Sequence, residues 1–412
     1  MKFTTGLRAH LRRRIEVLEH ADIVVGIPSY NNSATIAQAV KTLSAGISEH
    51  FPRSKCLVIV SDGGSTDDTR EEAGEIEINP WIEKAVTIYR GLPGKGSAVR
   101  AIFETAEHLD AEVCLICDAD IRSITPEWVK NFIDPILSKG YQFVTPYYKR
   151  HKYDATITNN IAYNLTRALY GCQIRQPIGG DFAFSKDIVK FYLDQDVWQT
   201  DVALFGIDIW LTTLAIVNNF KICQARLGAK THDVKDPSKS LGPMFIQVVG
   251  TLFALMEEHH SVWKEIKGSK PIEILGKEPE TEPESFRIDV KALVRDFKEG
   301  MDHFGPFYKK IIGKKNFEEL SKAASSGMRD FLLPTELWVK ILYDFAATFH
   351  RWKNSRYKKD LIRIMSPLYF ARIASFVNQT REMSSEETEE TVQEQARMFE
   401  EEKAYLLSRW KD

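Results

Sequence analysis

Val113-Cys114-Leu115-Ile116-Cys117-Asp118-Ala119-Asp120 is an apolar run that stops abruptly at two carboxylates. A short, continuous apolar run bounded in this way reads as a strand buried on both faces, the pattern of a parallel sheet covered by helices. Ligands of such sheets bind outside the carboxyl ends of the strands, which is where Asp118 and Asp120 fall. Carboxylates at i and i+2 of a strand point to the same side. With Mg²⁺ or Mn²⁺ between them and a diphosphate, mutual repulsion becomes a clamp, because hard cations take carboxylate and phosphate oxygens together. A lone acid-x-acid pair is more often a solvated turn; the buried strand in front of it favours a site.

Working outward, residues 23–28, 56–60 and 86–89 are further short apolar runs that end in polar turns. Helical patterns lie between them. One starts at Ser33, whose hydroxyl suits an N-cap. Another follows Gly94-Lys95-Gly96, with Val99, Ile102, Phe103 and Ala106 at helical spacing. A third opens at Thr125-Pro126, with proline in the first helical position. Repeated strand–helix units imply a Rossmann-like α/β domain with a mostly parallel sheet flanked by helices. From about residue 155 the pattern changes. Ile157, Ile161, Leu165 and Leu169 mark a helix, 206–219 another, and 221–225 a strand. Beyond about 240 helices dominate. Residues 268–288, rich in Pro, Gly and Glu, read as a loop or linker, and 384–409 as one acidic helix. The expected organisation is an N-terminal helix over 1–20, a catalytic α/β domain over 21–240 and a largely helical region over 241–412. The last would serve the acceptor side, a homodimer interface or both.

Bulk properties narrow the class. The chain has 412 residues, 43% of them hydrophobic, which allows more than one core. A net charge of −2 with 27% charged residues argues against a general nucleic-acid binder. Five widely spaced cysteines imply no disulfide framework, and Cys114 and Cys117 sit inside the apolar run, so they read as core residues of a protein in a reducing cytoplasm. The N-terminus is basic but has no apolar core of a secretory signal. It reads as an amphipathic helix carrying Leu7, Leu11, Ile15 and Leu18. The apolar stretch 244–256 is shorter than the roughly 20 residues that span a bilayer.

Other polar groups fall at strand ends. His232, after the last strand candidate, has a neutral imidazole suited to a metal shell, although a surface histidine is equally compatible with its neighbours. Asp62 and Gly63 open the turn 62–68. There a glycine lets backbone approach a ligand and a carboxylate accepts hydrogen bonds from a ribose or base, while Asp67 and Asp68 suit the start of a helix. Lys95, in a Gly-Lys-Gly loop opening a helix, suits phosphate, but the loop lacks P-loop spacing. Gln176-Pro177-Ile178-Gly179-Gly180-Asp181 and Gly206-Ile207-Asp208 each place an acid where a sugar or acceptor hydroxyl could be bound, and Asp208 equally suits a helix start.

Together these motifs resemble glycosyltransferases of the GT-A fold. Ile27-Pro28-Ser29-Tyr30-Asn31-Asn32 is similar to the family 2 opening that receives the nucleotide. Ser61 to Thr69 is similar to its second nucleotide loop, and Asp118-Ala119-Asp120 to its metal motif. A narrower resemblance, carried by Lys95, the Gly179-Gly180-Asp181 segment, Asp208 and the late His232, is to the group of glucosyl-3-phosphoglycerate, mannosyl-3-phosphoglycerate and glucosylglycerate synthases. It covers about residues 20–235. It implies Asp118, Asp120 and His232 at a Mg²⁺ or Mn²⁺ ion, with Pro28, Tyr30, Asn31, Asp62, Gly63, Lys95, Asp118, Ala119, Gly179 and Gly180 around the nucleotide sugar. It also implies Asp181 and Asp208 at the transferred sugar, with retention of configuration. UDP-glucose is the first donor it suggests and a GDP-sugar the second. Phosphoglycerate-using relatives carry a Gly-Arg-Val-Thr acceptor loop where this chain has Tyr153-Asp154-Ala155-Thr156. Asp154 in place of the arginine would repel a phosphate, so D-glycerate is favoured over 3-phosphoglycerate, with Thr156 and Arg150 beside it. The alternatives are a family 2 transferase for a lipid or polysaccharide, a sugar nucleotidyltransferase, and a non-catalytic sugar-nucleotide sensor.

Overall fold

The computed structural model describes residues 3–232, 242–277, 279–285, 287–328 and 331–410. Within the described residues the apolar runs form strands β1 (Ile23–Ser29), β2 (Cys56–Asp62), β3 (Glu83–Ile88) and β4 (Val113–Ile116). Later strands are β5 (Phe143–Lys149), β6 (Cys172–Gln173), β7 (Phe182–Ser185), β8 (Ile222–Ala229), β9 (Lys270–Pro271) and β10 (Ile274–Leu275). Eight of them make one sheet in the order β10-β8-β5-β7-β4-β1-β2-β3. Every pairing is parallel except those of β7, which runs antiparallel between β4 and β5. The expected fold class, a mostly parallel sheet flanked by helices with a helical C-terminal region, is the one observed.

The chain divides into two compact units. The first contains residues 1–150, 175–233 and 272–284, and holds the large sheet. β1, β2 and β4 are buried along their whole length. Helices α1 (Ala9–Leu18), α2 (Ser33–His50), α3 (Thr69–Glu75), α4 (Lys95–His108) and α5 (Pro126–Lys139) connect or flank the early strands, and α7 (Lys186–Leu193) and α8 (Ile207–Val217) the later ones. One face of the sheet buries Val25, Ile27, Val58, Val113 and Leu115 with Ile36, Val40 and Leu43 of α2 and Trp128, Phe132 and Ile133 of α5 in a single cluster. Cys114 and Cys117 are free and buried, as expected. In α1, Leu11 and Ile15 are buried, as is Leu7 just before it.

Two local expectations are corrected here. Asn32, not Ser33, is the N-cap of α2; Ser33 is its first helical residue. Residues 268–288 are not simply a linker, because Ile274 and Leu275 pair with Gln224 and Ala225 and extend the large sheet as an edge strand. Ion pairs from Arg122 to Glu284 and from Lys149 to Glu282 tie the following residues to the same unit.

The second unit contains residues 151–174, 234–271 and 285–412, so it takes in a segment of the chain well before residue 240. Among its described residues the regular structure is helical apart from the short β6–β9 ladder. The expected helix around Ile161 is present and contains a π-turn over Thr158–Ala162 before α6 (Tyr163–Tyr170). Residues 384–409 form two helices rather than one, Ser385–Glu401 and Lys403–Arg409. Ser384 and Glu387 close the first of them with a reciprocal capping box. No described helix is long and apolar enough to cross a membrane.

Candidate active site

The site is built at the carboxyl edge of the large sheet, and the one antiparallel strand is what completes it. Because β7 runs against β4, with Ile116 opposite Phe182, the residue before β7 lies beside the residues after β4. Asp181 thus meets Asp118, and its Oδ1 accepts a hydrogen bond from the Asp118 backbone N–H at 2.8 Å. Asp181 is fully buried. Its Oδ2 accepts from the Tyr148 hydroxyl at the end of β5 and from the Lys230 ammonium, which is 2.9 Å away. Burial pushes its carboxyl above the usual range, opposed by Lys230. Lys230 follows β8, donates to the Gly179 carbonyl at 2.8 Å and stands 3.7 Å from Asp118 Oδ2.

Lys95, at the start of α4, reaches the same place. Its ammonium is 2.7 Å from Asp118 Oδ1, 3.2 Å from Asp208 Oδ1 and 2.9 Å from the Gly180 carbonyl. Burial works against the ammonium, but Asp118 and Asp208 outweigh it and hold its pKa above the ordinary value. Asp208 lies in the first turn of α8. The result is two ammonium groups packed among three carboxylates. Gly180 makes this packing possible. Its φ is +92°, and a Cβ there would stand 2.1 Å from Asp118 Oδ2.

The turns expected to receive the nucleotide are also adjacent. Tyr30 is exposed, and a Cβ on Gly63 would stand 3.1 Å from its ring and 3.3 Å from the Tyr89 hydroxyl. That hydroxyl accepts from Gly94 N–H, next to Lys95. Asn31 accepts from Thr66 N–H, and its own N–H donates to Ser65 Oγ. Pro28 is buried in β1.

The structure gives several of the expected site residues partners within the protein. Asp62 is 0% exposed: its oxygens accept from Ser29 Oγ, Gly64 N–H, Ser65 N–H and Ser65 Oγ, so it folds the loop from within. Asp181, expected at the sugar, is sealed behind Asp118. Asp118, Ala119 and Asp120 lie beyond the last residue of β4, with Ala119 and Asp120 in a turn, so strand alternation does not set their directions. His232 is brought to this turn by a backbone bridge to Ile121 and by the Arg122 N–H to Thr231 carbonyl bond. Among the described residues, however, no three His, Cys, Asp or Glu side chains form a ready metal-binding group, so Asp118, Asp120 and His232 are not a preassembled ligand trio. The expected acceptor residues have partners of their own in the structure. Thr156 is buried, and its hydroxyl accepts from Tyr369 within the helical unit. Asp154 Oδ1 accepts from Ala155 N–H. Arg150 belongs to the sheet unit, 5.6 Å from the Tyr148 ring centroid. Lys230 and Tyr148 were not anticipated; the available signal was their place at the ends of two strands.

A mostly parallel sheet with acids and lysines gathered at its carboxyl edge defines an α/β domain with a candidate ligand site at that edge. The particular family follows from sequence: residues 24–192 match the model of glycosyl transferase family 2, and this stretch is a family 2 glycosyltransferase domain. Asp208, Lys230 and His232 lie beyond it. The glycosyltransferase AglJ of Haloferax volcanii is 35% identical over 117 residues, which are 28% of this chain and 33% of that protein, so the match spans about a third of the relative. The fold is similar to that of glucosyl-3-phosphoglycerate synthase from Mycobacterium tuberculosis. In its complex with Mn²⁺, UDP and glucosyl-3-phosphoglycerate, the identity is 21%, the coverage 62% of this chain and 86% of that one, and the TM-score 0.44. In its complex with Mg²⁺ and UDP the values are 22%, 62%, 85% and 0.43.

Proposed function

We propose that the protein is a retaining hexosyltransferase. It takes a hexose from a nucleotide diphosphate sugar, UDP-glucose first and a GDP-sugar second, and passes it to D-glycerate in preference to 3-phosphoglycerate. The family 2 domain supports the transferase class. The observation that carries the donor reading is Asp118 held between Lys95 and Lys230 at the sheet edge. Ammonium groups there suit the charge of a diphosphate, and the carboxylate suits a divalent cation.

Asp118 and Asp120 would hold Mg²⁺ or Mn²⁺, with His232 joining them. A pair of acids without a closed cage of protein ligands fits an ion that takes its remaining oxygens from substrate phosphate and water. When bound, the cation supplies Lewis-acid stabilisation of the departing nucleotide diphosphate. Lys95 and Lys230 bind the phosphate oxygens, and Asp208 orients a sugar hydroxyl. Tyr30, Asn31 and Gly63 border the nucleotide. Asp181 positions Asp118 and Lys230 without touching substrate.

The glycerate preference rests on Asp154, which stands where the resembling phosphoglycerate-using enzymes carry an arginine. The test is a donor-by-acceptor matrix with Mg²⁺ or Mn²⁺, following nucleotide diphosphate release. Release that depends on glycerate and is lost in Asp120→Ala is expected. Activity with 3-phosphoglycerate far above that with glycerate would reject the acceptor assignment, and release of pyrophosphate would reject the reaction class.

A further inference from the structure

The contacts of Lys95 have a consequence for the order in which ligands enter. Its ammonium has three protons, and its surroundings are Asp118, Asp208 and the Gly180 carbonyl, at 2.7, 3.2 and 2.9 Å. The side chain is only 12% exposed. Asp118 is therefore neutralised from one side by Lys95 at Oδ1, while Lys230 lies 3.7 Å from Oδ2. A divalent cation approaching Asp118 meets a carboxylate that already has a resident cation and a second ammonium close by. Like charges at that separation disfavour each other strongly in a site partly removed from water.

We propose that Lys95 is an internal stand-in for the metal: it occupies Asp118 until the donor's diphosphate draws its ammonium away, so that the divalent cation enters with the nucleotide and not before it. The inference rests on the functional reading above and concerns the order of binding rather than the reaction. The ammonium exchanges one set of anionic oxygens for another. On Asp118 it faces a carboxylate; with a diphosphate present, phosphate oxygens replace that partner and the carboxylate becomes available. No covalent bond changes. Nucleotide and cation must then raise each other's affinity, because binding couplings are reciprocal.

Asp208 sets the balance. It is the second carboxylate at Lys95 and shares the ammonium with Asp118. Removing its charge leaves Lys95 more firmly on Asp118, whereas removing the charge of Lys95 frees Asp118 Oδ1 and leaves only the more distant Lys230 ammonium, 3.7 Å from Oδ2.

The test is Mn²⁺ binding to the full chain, read from the electron paramagnetic resonance signal of free Mn²⁺, with and without UDP or GDP. In the wild type, the nucleotide that binds should tighten Mn²⁺ at least tenfold. Lys95→Met should bind Mn²⁺ at least tenfold tighter than wild type in the absence of nucleotide. Lys95→Arg, which keeps the charge, should not. Asp208→Asn, which retains the shape of the site should Lys95→Met fail to fold, should weaken nucleotide-free Mn²⁺ binding several-fold. A folded Lys95→Met that binds Mn²⁺ no tighter than wild type overturns the proposal, as does an Asp208→Asn that binds it more tightly. Failure of both UDP and GDP to bind any variant would instead reject the nucleotide-sugar reading, which the nucleotide-free titration does not need.

Discussion

Asp181 accepts a hydrogen bond from the backbone N–H of Asp118, 63 residues earlier in the chain, at 2.8 Å. The contact exists because β7 runs antiparallel to its neighbours β4 and β5 in a sheet whose other pairings are parallel. It fixes the peptide on which the acid-x-acid turn begins, and Asp181 simultaneously compensates Lys230, whose side chain is 4% exposed.

Asp181→Ala should therefore be costly. It leaves the Lys230 ammonium without its nearest carboxylate in a buried place, and breaking one side of a buried pair costs about 3–5 kcal/mol. Asp181→Asn keeps an acceptor for Asp118 N–H and should lose less. Tyr148→Phe removes only one donor to the same carboxylate and should cost about 1 kcal/mol. Urea unfolding of the three variants should rank them in that order; equal midpoints would show that Asp181 does not anchor the turn.

Gly180 and Gly64 separate backbone strain from intrusion. Both have positive φ, +92° and +84°, but a Cβ on Gly64 has nothing within 4 Å, whereas one on Gly180 meets Asp118 Oδ2 at 2.1 Å. Alanine at either position carries a left-handed penalty of about 1–2 kcal/mol. Only Gly180→Ala should also displace Asp118, and its turnover should fall by at least about 100-fold, the loss of one well-placed electrostatic contact. Gly64→Ala should retain most of its activity. Similar activity losses in both would remove Asp118 from the reaction.

Much of this was legible in the chain. β1, β2 and β4 are runs of Ile, Val, Leu and Cys buried on both faces, and burial of that kind leaves a direct mark in the sequence. Asp118, Lys95 and Asp208 stood out because each interrupts or opens such an element. β5 was hidden by Pro146 and polar neighbours in its sequence FVTPYYK. Strand direction leaves no local mark at all, so the meeting of Asp181 with Asp118 could not be read. Asp62 misled for a related reason: a carboxylate after a strand suits a ligand or its own turn equally well, and four donors from Ser29, Gly64 and Ser65 decided for the turn. Lys230 belongs to no motif; pairing of β8 with β5 brings it to Asp181.

The turn that follows Asp62 has its own pH signature. Asp67 accepts from Ser33 N–H at the start of α2 and from both N–H and hydroxyl of Thr69 at the start of α3. The Thr69 hydroxyl does most to hold its carboxyl down, at about 2 against an ordinary 3.8. Folding thus favours the charged form. Its contribution is present above the ordinary value and is lost as pH falls towards 2. The stability gap between wild type and Asp67→Asn should narrow between pH 4 and pH 2, as measured by urea midpoints. A gap that stays constant would mean that the charge of Asp67 does not matter to these two helix starts.

Asp344 plays the corresponding part in the helical unit. It lies in the helix Thr335–Arg351 and is 0% exposed. Its carboxylate accepts from Gly313 N–H at 2.9 Å, from the Tyr405 hydroxyl at 2.9 Å and from Arg409 Nε at 2.6 Å. Two of those donors belong to the helix Lys403–Arg409, so a single buried acid ties that helix to its own and to Gly313, the N-cap of the helix Lys314–Ala324. Asp344→Ala removes the acceptor from all of them. The side chain of Arg409 is 33% exposed, so its charge can recover water, whereas the Gly313 N–H cannot do so without local opening. The loss should sit at the low end for a broken buried pair, about 3 kcal/mol. Asp344→Asn keeps one carbonyl acceptor and should lose less. Amide exchange resolves where the loss falls: in Asp344→Ala, protection should drop across residues 403–409 before it drops in the helix Ser355–Thr380. Uniform loss over the unit would show that Asp344 supports the fold as a whole rather than the terminal helix.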